Sequence, residues 1–279
     1  MDAGFEIIAH RGASASAPEN TLSSFECAVE QGAQAIELDV RLSSDQQIVV
    51  FHDDQLDKKT DLEGRVRHYP VEVLEKVDLL PWFEKARGPF EGGRARLEAD
   101  TCIPTLEKVF QRLDGRVRYH IELKGWDDQL PLMVLRTVDA YGLQDQVTLT
   151  SFSKKPLEEI RKLNSRVPIT FLLRDASDAI NSREFRPELA GLTLPEIHAY
   201  WIRRAAEEGF QWVGIRARDA TAETIQIAQS LGLEIRGWGV RDSDEIGSML
   251  DMGMVGATVD WPGLALETLA RESKRKSRN

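Results

Sequence analysis

The sequence is short of cysteine, of basic charge and of long apolar runs, and each shortage removes a class of protein. Two cysteines in 279 residues, Cys27 and Cys102, cannot build a disulfide scaffold or a four-cysteine zinc site. Both are expected as small buried side chains. Lysine plus arginine number 36 against 46 aspartates and glutamates, a net charge of −10. A general nucleic-acid binder needs a basic face to displace counterions, so nucleic acid is not an expected partner. A small basic pocket for one phosphate remains compatible with this balance. No run of about 18 apolar residues occurs, so no integral membrane segment is expected. The N-terminus passes from Met1-Asp2 straight into Phe5-Glu6-Ile7-Ile8-Ala9 without a basic leader or a cleavable apolar segment. A cytoplasmic location is therefore the expectation. The sequence carries no signal for oligomeric state.

What is present belongs to an ordinary globular protein: 42% hydrophobic and 29% charged residues. A chain of this length buries about three quarters of its unfolded surface and needs no staples. Short β-like runs alternate with amphipathic helical stretches. The runs are Ile7–Ala9, Ala35–Val40, Arg118–Leu123, Val147–Thr150, Pro168–Leu173, Trp212–Ala217, Leu233–Trp238 and Val255–Val259, with a short ribbon at Ile48–Phe51. Asn20, Thr105 and Asp242 are the expected helix caps. Regularity fails between about Asp53 and Asp100, which holds Glu91-Gly92-Gly93 and the apolar cluster Leu79-Leu80-Pro81-Trp82-Phe83. Eight strands separated by helices predict an α/β fold, a TIM (β/α)8 barrel, with an insertion after the second strand. A doubly wound sheet is the weaker alternative, because no Gly-rich phosphate-binding fingerprint follows the first strand. The predicted organisation is one domain over 1–270, an insertion at about 54–102, and a frayed, polar, basic tail at 271–279.

In such a barrel, chemistry gathers at the C-terminal ends of the strands. His10 and Arg11 close the first. Glu37 and Asp39 lie two apart in the second, so both point the same way, with Ile36, Leu38 and Val40 on the opposite face. Glu122 and Lys124 repeat that spacing in the third. Two carboxylates buried together without a cation are costly. Three acids able to converge offer oxygen ligands only, which favours Mg²⁺ or Ca²⁺ over zinc. His52-Asp53 follows the ribbon and returns a second imidazole to the same rim. Asp53 reads equally as a partner of His52 or as a surface residue.

These residues carry a resemblance. The blocks His10-Arg11-Gly12, Pro18-Glu19-Asn20-Thr21, Ala35-Ile36-Glu37-Leu38-Asp39-Val40 and Val49-Val50-Phe51-His52-Asp53 resemble the signature of the glycerophosphodiester phosphodiesterases. Ile121-Glu122-Leu123-Lys124, Trp238-Gly239-Val240 and Asp260-Trp261-Pro262 are similar to later blocks of that family. The resemblance implies a TIM barrel that hydrolyses glycerophosphodiesters to sn-glycerol 3-phosphate and an alcohol. It implies Glu37, Asp39 and Glu122 as ligands of one divalent cation, Mg²⁺ or alternatively Ca²⁺. His10 and His52 become the acid/base pair, and Arg11 and Lys124 the phosphate contacts. Glu19 and Asn20 become supporting residues, and Trp238 a wall on the glycerol side.

The sequence departs from the family pattern at Ser43-Ser44-Asp45-Gln46, where a glycine is usual in the turn. It departs again at Lys58-Lys59-Thr60, where Arg-Thr-Thr is common, and at Gly239 and Arg241. None of these is expected to touch the metal or histidine roles. Three alternatives accompany the hydrolase reading: a lysophospholipase D acting on acylated substrates, a lyase that stops at a cyclic phosphate, and a non-catalytic phosphate-binding barrel. The last has no use for an acid/base pair.

Overall fold

Aliphatic and β-branched runs bounded by polar turns become strands, and the computed structural model describes residues 4–87, 100–125, 127–175 and 186–276. The described residues contain nine strands: β1 (Glu6–His10), β2 (Ala35–Leu42), β3 (Ile48–Val50), β4 (Arg118–Leu123), β5 (Val147–Ser151), β6 (Ile169–Leu172), β7 (Trp212–Arg216), β8 (Glu234–Trp238) and β9 (Gly256–Val259). Hydrogen-bonded neighbours follow the order β1-β9-β8-β7-β6-β5-β4-β2-β3, with β1 also paired to β2. This is the connectivity of a TIM (β/α)8 barrel carrying one extra ribbon strand.

The chain divides into two compact units. The first comprises Ile8–Val147 with Asp260–Gly263. In it β1 and β4 flank β2 in parallel, and β3 folds back antiparallel on the outer half of β2, pairing Leu42 with Ile48 and Val40 with Val50. The polar turn Ser43–Gln47 makes that reversal, with Gln46 at φ +60°. Helices α1 (Leu22–Glu30) and α4 (Leu106–Leu113) pack together on this unit. Thr105 caps α4 as expected, its hydroxyl accepting from the Lys108 amide.

The cap of α1 is Thr21, not Asn20. Thr21 and Ser24 form a reciprocal capping box, which frees the Asn20 side chain for another task. The cysteines also differ from expectation. Both are free, but half-buried rather than buried.

The stretch after β3 is more regular than its sequence suggests. It forms a short helix α2 (Val71–Leu74) and a longer one, α3 (Leu80–Arg87). Leu56, Val66, Leu74, Leu79 and Ile103 pack with Val49 and Phe51 of the ribbon into a satellite core. Leu79 and Phe83 are buried and Trp82 is half-buried, so most of the apolar cluster serves packing. Glu91-Gly92-Gly93 lies outside the described residues.

The second unit is built around Thr148–Val259. Strands β5 to β9 run parallel in successive pairs. Helices α5 (Leu130–Ala140) in the first unit and α6 (Lys154–Leu163), α7 (Leu194–Glu207), α8 (Ala222–Ser230) and α9 (Ser243–Asp251) in the second supply the crossovers. Asp242 caps α9, accepting from the amides of Asp244 and Glu245. The final helix α10 (Pro262–Lys276) continues through most of the segment expected to fray. No helix among the described residues is long and apolar enough to cross a membrane.

Candidate active site

Strand register assembles the acids. In the first unit Asp39 of β2 is the partner of Glu122 on β4, and Glu37 is the partner of both His10 on β1 and His120 on β4. Side chains on adjacent strands in register share a face, so the alternation that buries Ile36, Leu38 and Val40 on one side gathers Glu37, Asp39 and Glu122 on the other. One oxygen from each of these carboxylates lies within 4.8 Å of the others, and all three residues are buried.

Two cations neutralise part of this trio. Lys124 Nζ lies 2.6 Å from Glu122 Oε1 and 3.1 Å from Asp39 Oδ1. Arg11 Nε lies 3.0 Å from Asp39 Oδ2, and its Nη1 donates to Glu19 Oε1 at 3.0 Å. Arg11 has φ +55°, and this left-handed backbone also lets its amide donate to Glu37 Oε2 at 3.1 Å. Asn20, at φ +59°, spends its freed side chain on Asp39: Nδ2 donates to Oδ2 at 2.7 Å and Oδ1 accepts from the Asp39 amide at 3.2 Å.

The electrostatics follow from this arrangement. Burial alone would push Asp39 up, but the charges of Lys124 and Arg11 outweigh it and hold the carboxyl well below the usual range. Glu37 goes the other way. Burial, then the charges of Asp39 and Glu122, push it well above the usual range, and Arg11 and Lys124 do not compensate. Three carboxylates thus face two cations, and Glu37 is the group that gives way. Oxygen-only donors suit a hard divalent cation, so Glu37, Asp39 and Glu122 could hold one.

Both histidines are held by carboxylates. His52 Nδ1 lies 2.6 Å from Asp53 Oδ1, and the His52 carbonyl accepts from Nε and Nη2 of Arg41 at 3.0 and 2.6 Å. Asp53 is therefore a partner of His52. Its bond to His52 does most to hold it below its ordinary value, against the effect of burial. His10 Nδ1 lies 2.7 Å from Asp260 Oδ1, and its Nε2 is 4.0 Å from Glu37 Oε2. Burial would raise Asp260, but its bonds to His10 and Ser14 and the His10 charge bring it down to about 2. An ionised carboxylate only accepts hydrogen bonds, so in each pair the imidazole Nδ1 carries the proton and Nε2 is left for chemistry.

Sequence reasoning placed Asp260 in the closing block but missed its pairing with His10, 250 residues away along the chain. It also missed Lys59. Within the Lys58-Lys59-Thr60 departure, Lys59 Nζ contacts Asp53 Oδ2 at 3.1 Å and Glu19 Oε1 at 2.8 Å. Glu19 is correspondingly lowered: burial opposes ionisation, and the charges of Arg11 and Lys59 overcome it. Trp238 belongs to the second unit. It ends β8 in register with Arg216, meets Phe152 edge-on at 5.1 Å, and lies 5.7 Å from the Arg216 guanidinium carbon.

Acids, histidine–carboxylate pairs and two cations thus stand together in the first unit. The family model of the glycerophosphoryl diester phosphodiesterases matches residues 10–264. YhdW of Bacillus subtilis is 31% identical over 263 residues, 94% of this chain and 96% of the relative. A glycerophosphodiester phosphodiesterase of Bacillus subtilis is 28% identical over 270 residues, 92% of this chain and 84% of the relative. Among solved structures, an Oleispira antarctica phosphodiesterase in complex with sn-glycerol-3-phosphate has a TM-score of 0.77 at 22% identity, covering 95% of this chain and 96% of that one. The chain belongs to the glycerophosphoryl diester phosphodiesterase family, a family of phosphoric diester hydrolases.

Proposed function

We propose that this chain hydrolyses small glycerophosphodiesters to sn-glycerol 3-phosphate and an alcohol, with two histidines as acid and base and one divalent cation, Mg²⁺ or alternatively Ca²⁺. The observation that carries the reading is the pairing of two carboxylate-held imidazoles with a buried acid trio. The Oleispira relative was solved with the product that this reading assigns. The unit of function is the domain 1–270 with its excursion at 54–102. The free Cys27 and Cys102 suit a reducing, cytoplasmic setting.

Glu37, Asp39 and Glu122 hold the cation in this reading. When bound, the cation would draw charge from the phosphoryl oxygens. Arg11 and Lys124, already charged beside the trio, orient the phosphate. His52 Nε2 accepts the proton of the attacking glycerol 2-hydroxyl, and His10 Nε2 donates to the leaving alcohol. Water then opens the cyclic phosphate with the two roles reversed. Asp53 and Asp260 hold the ring orientation throughout. Glu19 and Asn20 fix Arg11 and Asp39.

The test is release of glycerol 3-phosphate from glycerophosphocholine and glycerophosphoethanolamine with Mg²⁺, Ca²⁺ or EDTA. His10→Ala and His52→Ala should each lower turnover by roughly 10²–10⁴-fold while the fold persists. Full activity in either variant would sink the two-histidine mechanism. Cyclic phosphate as the end product, or turnover of lysolipids alone, seen by phosphorus NMR, would move the assignment to a lyase or a lysophospholipase D.

A further inference from the structure

Lys59 is an uncommon kind of lysine. Its side chain is only 11% exposed, and its ammonium is shared by two carboxylates that each serve a different part of the site. Glu19 is the partner of Arg11, and Asp53 is the partner of His52. The residues Arg11, Glu19, Lys59, Asp53 and His52 therefore form a continuous line of alternating donors and acceptors. Its members are separated by 3.0, 2.8, 3.1 and 2.6 Å.

The backbone of Lys59 is held independently of its side chain. Its amide and that of Thr60 both bond to the carbonyl of Leu56, and the Leu56 amide bonds to the Gly64 carbonyl. Leu56 itself is anchored in the satellite core. The ammonium lies 5.2 Å from the Trp82 ring centroid and 5.8 Å from that of Phe51, positions suited to cation–π attraction. Trp82 is contributed by α3, so the excursion after β3 supplies both the lysine and a ring that covers it.

We infer that Lys59 is a positioning residue of the reaction: it fixes Asp53 and Glu19 in one arrangement and thereby sets His52 and Arg11 relative to each other. Without it, two half-buried carboxylates would lose the cation they share, and Asp53 would be free to turn away. An Asp53 that turns away no longer holds the Nδ1–H of His52, and the imidazole loses its fixed orientation. Misplacement of this kind reduces the chemical step more than substrate binding.

This inference rests on the acid/base reading above, so its test has a readout that does not require turnover. Lys59→Met and Lys59→Arg would be compared with the wild-type protein for kcat and KM on glycerophosphocholine. The state of the His52 ring would be followed by nitrogen NMR. Lys59→Met should lower kcat by roughly 10–100-fold with KM changed far less, and Lys59→Arg should recover much of the loss. In the ring spectrum, wild type should show a single Nδ1–H tautomer for His52, and Lys59→Met a mixture. Combining Lys59→Met with Asp53→Asn should give less than the product of the two separate losses.

Wild-type kcat in Lys59→Met, or an unchanged His52 spectrum, would overturn the positioning role while leaving the hydrolase reading intact. If the wild-type protein itself turned over no glycerophosphodiester, the hydrolase reading would fail. The His52 spectrum alone would then decide whether Lys59 orders that ring.

Discussion

Gly12 follows His10 and Arg11 into the turn after β1 with φ +82°. A Cβ at that position would lie 2.5 Å from the Ser24 carbonyl carbon and 2.6 Å from its oxygen, both backbone atoms that cannot swing aside. Gly142 has φ +66° and open space around it. Gly12→Ala should therefore cost more than about 2 kcal/mol, combining left-handed strain with overpacking, and Gly142→Ala only about 1 kcal/mol. Denaturant midpoints of the two variants measure the difference, and equal losses would mean that crowding against Ser24 contributes nothing. At this scale the acids of the site were legible, because Glu37, Asp39 and Glu122 interrupt strands at positions where alternation leaves one facing direction. The pairings of Lys59 and Asp260 were not legible. Each acts on a residue distant in sequence or across a loop whose path no local periodicity records. Asn20 was misread for a related reason: it has cap chemistry one residue before a threonine that also has it, and the demand of Asp39 decides between them.

Elements with strong periodicity were readable and those built by tertiary packing were not. The strands and α4 followed from alternation and capping. Helix α3, with Pro81, Trp82 and three charged residues in eight, has no clean apolar face, and it is placed by Leu79 and Phe83 seating in the interior. Helix α7 shows how one polar residue couples an element to pH. His198 on α7 is buried; its Nε2 lies 2.9 Å from the Arg174 carbonyl and so must carry the proton. Its Nδ1 is buried with no hydrogen-bond partner among the described residues. Burial lowers its pKa from the ordinary value, against the opposing bond to Arg174. Below about pH 6.5 the unfolded chain therefore takes up a proton at His198 more readily than the folded chain does. The stability that this difference confers is present above that pH and is lost as the pH falls. His198→Gln keeps a donor for the carbonyl without titrating. Its unfolding free energy should change less between pH 7 and 5 than that of the wild type, and identical slopes would show that the imidazole is free to protonate in the folded state.

For the molecule as a whole, the acid trio would link stability to cation supply if it holds the proposed cation. Three buried carboxylates share two cations, and the mismatch appears in the raised Glu37 rather than in a broken strand, because the register of β1, β2 and β4 holds the backbone. A divalent cation bound only by the folded chain would add stability by mass action, about 2.7 kcal/mol at a hundredfold excess over Kd. For a chain of this size that corresponds to roughly 5–10 °C in Tm. Glu122→Gln separates this effect from general stiffening by salt. It removes one ligand charge yet leaves an oxygen that Lys124 can still reach, so its Tm in EDTA should stay close to that of the wild type, whereas the rise on adding Mg²⁺ or Ca²⁺ should shrink or vanish. Calorimetric scans of both proteins with EDTA and with each cation provide the measurement. An equal rise in wild type and Glu122→Gln would place the cation elsewhere on the protein. A large fall in the EDTA-treated variant would make Glu122 a structural counterion of Lys124 rather than a ligand.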